Sequence, residues 1–93
     1  MINNNSEEIK NSVNRFNQML KTNLIYFFDV NEFQNITDYF LSIGEIQLSK
    51  KALYMGLMQH PKNIDLLLIK VEHFILDKKL KSAKNILSNL NLI

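Results

Sequence analysis

Two stretches decide the fold: residues 30–53, VNEFQNITDYFLSIGEIQLSKKAL, and residues 64–87, IDLLLIKVEHFILDKKLKSAKNIL. Laid over each other with a shift of 34 residues, they pair Val30 with Ile64, Phe33 with Leu67, Phe40 with Phe74, Leu41 with Ile75, Ile46 with Leu80, Ser49 with Ala83, Lys50 with Lys84 and Leu53 with Leu87. Bulky side chains meet bulky ones and small meet small. Within each stretch apolar residues return every three or four positions, the spacing of one helix face. Each is interrupted midway, by Gly44 in the first and by Lys78 in the second. The reading is one helical hairpin written twice.

Local signals place the helices. Asp29 and Glu32 form an acidic variant of the capping box ahead of Phe33, Ile36, Phe40 and Ile43, which predicts a helix over 30–43. After a Gly44-Glu45 turn, Ile46, Leu48, Leu53 and Leu57, with small Ser49, Ala52 and Gly56, predict a helix over 46–59. Pro61 stops it by pushing the preceding residue out of the helical region. Asn63 caps a helix over 64–77 that is apolar around much of its circumference and so packs on two sides. Lys78-Lys79 turns into a last helix over 80–91, marked by Leu80, Ala83, Ile86, Leu87 and Leu90.

Upstream, Ser6 reads as an N-cap, Glu7 and Glu8 suit the positive first turn, and Ile9, Val13, Phe16 and Leu20 share one face of a helix over 7–21. The apolar run Leu24 to Phe28 fits a short strand, a helix or a docked linker alike, and is taken as a linker packed under the next helix. The expected fold is all-α, a short α-solenoid of antiparallel helix pairs with about five helices. It divides into an N-terminal lid helix and aromatic linker over 1–29, a first repeat over 30–63, and a second over 64–93 that is incomplete at its C-terminus. Phe33, Phe40, Ser49, Leu53, Leu67, Phe74, Ala83 and Leu87 form the expected core, the small ones allowing two helices to approach and the large ones filling the space between.

Composition agrees with an all-helical chain. In 93 residues there are only two Gly and one Pro, too few turn residues for sandwiches or phosphate-cradling loops. Zero Cys excludes disulfides, thiol catalysis and cysteine-ligated zinc. Eleven basic against nine acidic residues leave a net charge of +2, too small to demand nucleic acid or an anionic membrane as partner. No apolar run approaches the roughly 20 residues of a membrane-spanning helix, and the opening lacks the basic-then-apolar pattern of a secretory signal. The expected location is cytoplasmic.

The period of 34 resembles the tetratricopeptide repeat, whose signature runs W-x2-L-G-x2-Y, then A-x3-F, then P. The first unit here reads Phe33-x2-Ile36-Thr37-x2-Phe40, then Ser49-x3-Leu53, then Pro61. The second reads Leu67-x2-Lys70-Val71-x2-Phe74, then Ala83-x3-Leu87, and departs further from the pattern at Lys70, Lys78 and Leu90. The capped first helix and the aromatic linker are similar to the N-terminal part of bacterial multi-repeat proteins of this family. The resemblance implies a concave groove lined by the first helix of each unit, taking up a peptide or a partner helix. In this chain the groove would present Asn31, Gln34, Asp38 and Leu41 from one unit and Asp65, Leu68, Glu72 and Ile75 from the next. The cations that family members use to clamp a C-terminal carboxylate are not seen at these positions. The expected partner is therefore basic and apolar.

Catalytic chemistry is weakly represented. No dinucleotide, P-loop, zinc-protease, serine-elbow or calcium-loop pattern occurs, so no catalytic residue, cofactor or metal is expected. Asp29 and Glu32 are accounted for by capping. His60 reads as a surface helix terminus, and His73 as a half-exposed helical histidine in preference to an acid–base pair with Asp77. Met55 and Met58 read as packing residues. The cluster Lys78, Lys79, Lys81 and Lys84 lacks interleaved aromatics, which makes nucleic-acid binding the third reading. The second is homodimerisation through the last helix, which would expose Ile86, Leu87, Leu90 and Leu92 unless further repeats cover them.

Overall fold

The structure, a computed structural model, describes residues 4–93, with side chains from Ser6 onward. Five helices follow one another: α1 Asn4–Thr22, α2 Val30–Ser42, α3 Ile46–Gln59, α4 Ile64–Leu76 and α5 Leu80–Asn89. Among the described residues there is no strand. Sequence neighbours pack on each other, most extensively α2 on α3 and α4 on α5, and α2 also touches α4. The result is a small, repeat-like bundle of helical hairpins.

The 34-residue shift reappears in the backbone. The helices of the two hairpins begin at Val30 and Ile64, and at Ile46 and Leu80. Their N-caps Asp29 and Asn63 accept from the amides of Glu32 at 2.7 Å and Leu66 at 3.0 Å. The two turns close alike: Glu45 N–H donates to the Phe40 carbonyl at 2.8 Å, and Lys79 N–H donates to the Phe74 carbonyl at 2.7 Å. This crossed termination requires a left-handed residue just past the helix. Gly44 supplies it at φ 80°, and Lys78 at φ 61°.

For Lys78 that conformation is strained, because a Cβ crowds the following carbonyl. Lys78→Gly is expected to raise stability by about 0.5–1 kcal/mol after the extra chain entropy of glycine is subtracted. A urea midpoint unmoved or lowered would count against this geometry.

The core runs through α1, α2, α3 and the start of α4: Val13, Phe16, Met19, Phe28, Phe33, Ile36, Phe40, Ala52, Leu53, Leu66 and Ile69. Phe16 lies 5.9 Å from Phe40 and 6.3 Å from Phe28, centroid to centroid, so α1 is part of the core and not a loose lid. Gly56 permits the closest approach of α3: a Cβ there would lie 3.0 Å from Phe33 Cγ and 3.3 Å from Leu66 Cδ1.

Several expectations need correction, among them the packing of Met58, which is exposed. α1 runs from Asn4, so Ser6 is an exposed helical residue and not the cap; serine is tolerated there at small cost when the chain before it is already helical. Only Tyr26 and Phe28 of the linker turn inward, held by Gln59 and His60 at the end of α3, while Leu24, Ile25 and Phe27 face solvent. α5 ends at Asn89, short of residue 91, where Asn91 at φ 61° leads Leu92 N–H back to the Leu87 carbonyl. Of the expected core, Phe33, Phe40, Ser49, Leu53 and Ala83 are buried, but Leu67, Phe74 and Leu87 are only half-buried. Those three belong to the second hairpin, which lacks the cover that α1 gives the first.

Candidate functional site

The surface singled out by the sequence lies on α2 and α4. Both helices are anchored at their N-termini. On α2, Glu32 completes the capping box with its Oε1 accepting from Asp29 N–H at 3.0 Å, and its Oε2 accepts from Arg15 at 3.0 Å and from the Ser12 hydroxyl at 3.2 Å. Arg15 also covers the Phe28 ring at 4.6 Å and donates to the Phe27 carbonyl. The linker is held from the other side by α3: Gln59 accepts from Phe28 N–H at 3.1 Å and donates to the Tyr26 carbonyl at 2.8 Å. His60 Nε2–H donates to the Phe28 carbonyl at 2.8 Å. His60 is thus a clasp on the linker, with its ring edge against Phe33, and not a free surface terminus.

Of the eight proposed groove residues, Asn31, Asp38, Asp65, Glu72 and Ile75 are exposed, and Gln34, Leu41 and Leu68 are half-buried. Their spacing places each set on one side of its helix, and α2 and α4 are in contact. The set carries three carboxylates and no cation. Lys51, Lys81 and Lys84 are exposed on α3 and α5, and Lys50 is engaged with Asp77 at 2.6 Å.

Between the two hairpins lies a feature the sequence did not reveal. His73 is buried, at 5 % exposure. The Ser49 hydroxyl donates to the Thr37 carbonyl at 2.8 Å, which leaves its oxygen to accept from His73 Nε2–H at 3.2 Å. One chain of hydrogen bonds therefore links α2, α3 and α4. The imidazole pairs with Ser49 and not with Asp77, whose carboxylate is held below its usual range by the Lys50 hydrogen bond. Burial first, and then the Lys50 charge, push the His73 pKa down, opposed by Asp77 and Asp38. Burial pushes the Asp38 pKa up, opposed by His73.

These shifts predict a pH dependence. With its folded pKa below the unfolded 6.5, His73 binds fewer protons folded than unfolded, so its contribution is present above that pH and is lost on acidification through it. Asp38, raised from 3.8, acts in the opposite sense and in a more acidic window. Stability should fall between about pH 7 and pH 5, and His73→Gln should flatten the slope in urea titrations at the two pH values. A wild-type protein stabilised on going to pH 5 would contradict the burial of neutral His73.

Family models, curated proteins and solved structures all give no match to this chain. The chemistry of the site therefore rests on its own residues. Among the described residues, no helix is long and apolar enough to cross a membrane.

Proposed function

We propose that the chain is a non-catalytic, cytoplasmic interaction scaffold, a tetratricopeptide-like pair of repeats that binds a basic, apolar peptide or helix along α2 and α4. The observation that carries this reading is the pairing of Asp38, Asp65 and Glu72 with Leu41, Leu68 and Ile75 on two touching helices that start in the same register. Exposed carboxylates beside apolar side chains favour a ligand with the reverse charge and its own apolar stripe.

Titration of the full chain with a short Lys/Leu amphipathic peptide, followed by amide NMR, tests it. Shifts concentrated on α2 and α4 and weakened by salt are expected. Shifts confined to α3 and α5, or tighter binding of a Glu/Leu peptide, would contradict it. Homodimerisation through the last helix is the second reading, favoured by the exposure of Leu80 and Leu92, although Ile86, Leu87 and Leu90 are half-buried. Sedimentation over a range of concentrations separates the two.

A further inference from the structure

The two hairpins differ in what stands against the aromatic residue near the end of their first helix. In the first, the ring of Phe16 from the preceding helix fills the space beside Phe40. In the second, Phe74 occupies the equivalent position, and the preceding helix α3 faces it across a cavity of about 240 Å³. Its apolar wall is Leu53, Leu57 and Phe74, with Tyr54 at the margin. Its rim carries Lys50, Lys70 and Lys79 against the single carboxylate of Asp77, so the lining is cationic. Lys70 Nζ stands 5.6 Å from the Phe74 ring centre, and Lys50 is tied to Asp77, so that among the described residues neither Lys70 nor Lys79 forms a salt bridge, although the Lys79 charge also reaches the Asp77 carboxylate.

We propose that this cavity is a binding site for a small aryl anion, one aromatic ring bearing a carboxylate or phosphate. The ring takes the place beside Phe74 that Phe16 takes beside Phe40, and the anionic group meets Lys70 and Lys79. The volume is slightly below the roughly 300–1,000 Å³ of drug-sized sites and suits a single ring. An apolar body gains from the wall, and the charge gains from the ammonium groups of Lys70 and Lys79, the one carboxylate of the lining, Asp77, being already bound by Lys50. By the helical period, Lys70, Phe74 and Asp77 lie on the side of α4 opposite Leu68, Glu72 and Ile75. The site is therefore separate from the proposed peptide groove, and either can fail without the other.

His73 lines the same cavity and reports on it. The groups that act on its ring are Asp38 from α2, Lys50 from α3 and Asp77 from α4, with Ser49 as hydrogen-bond partner. A bound anion would raise its proton affinity.

The test is NMR titration of the full chain with phenyl phosphate, with inorganic phosphate and phenol as the two halves of the ligand. Phenyl phosphate should bind at least about tenfold more tightly than either half, and it should move the His73 ring titration to higher pH. The double variant Lys70→Gln, Lys79→Gln keeps much of each aliphatic stem and should weaken binding about tenfold or more, while Lys84→Gln on α5 should leave it unchanged. Equal affinity for phosphate and phenyl phosphate would overturn the proposal, since the apolar wall would then contribute nothing. So would undiminished binding by a double variant with a wild-type amide spectrum, or shifts that bypass His73 and Phe74.

Discussion

Phe40→Ala is expected to lower the unfolding free energy by about 3–5 kcal/mol, and Phe74→Ala by only about 1–2 kcal/mol. The two residues hold equivalent places at the ends of α2 and α4, each with its carbonyl accepting the crossed turn hydrogen bond. The difference lies in what surrounds the rings. Phe40 is 3 % exposed and shares its space with Phe16, so truncation leaves a hole lined by residues that cannot collapse. Phe74 is half-buried and borders an existing cavity, so less apolar area is lost and water can enter. A chain of this size has about 5–14 kcal/mol of stability in total, so the first variant should be visibly compromised at 37 °C and the second not. Urea unfolding of both measures it. Equal losses would mean that the hairpins are equally enclosed, contrary to the burial of Phe40 and the half-burial of Phe74.

Gly56→Leu should be similarly severe, at about 3 kcal/mol or more, because overpacking forces neighbours off their rotamers. The substitution installs at position 56 the residue that the second hairpin carries at its equivalent, Leu90. There the isobutyl group is only half-buried; here its first carbon alone would meet Phe33 Cγ at 3.0 Å. Neither Phe33 nor Leu66 has room to yield, since both are fully buried. Gly56→Ala should show the same effect at about 1–2 kcal/mol. A neutral Gly56→Leu in thermal and urea melts would place α3 farther from α2 than the structure does.

Much of this was legible in the sequence wherever the cause is local. Asp29, Asn63, Gly44 and Pro61 act within four residues of themselves, and the starts of α2, α3 and α4 fall where those residues put them. The faces carrying Asp38 and Glu72 followed from helical period alone. What could not be read depends on contacts between helices. The 34-residue shift matches His73 to exposed Tyr39, yet His73 is buried because Ser49 of the preceding hairpin lies within hydrogen-bonding distance. Lys50 and Asp77 are 27 residues apart with no shared motif, and only the packing of α3 on α4 brings them together. Ser6 differs from the expected cap for a related reason: a cap residue is a cap only where the chain before it leaves the helix.

The proposed binding surface depends on two hairpins in register that set the carboxylates of α2 and α4 side by side. The most direct test is the affinity of the Lys/Leu peptide, and of its Glu/Leu counterpart, for the wild-type chain and for the double variant Asp38→Lys, Glu72→Lys. The reversal should weaken the basic peptide by roughly tenfold or more and strengthen the acidic one by a comparable factor. Unchanged affinity of both peptides, in a variant that unfolds at the wild-type urea concentration, would contradict it.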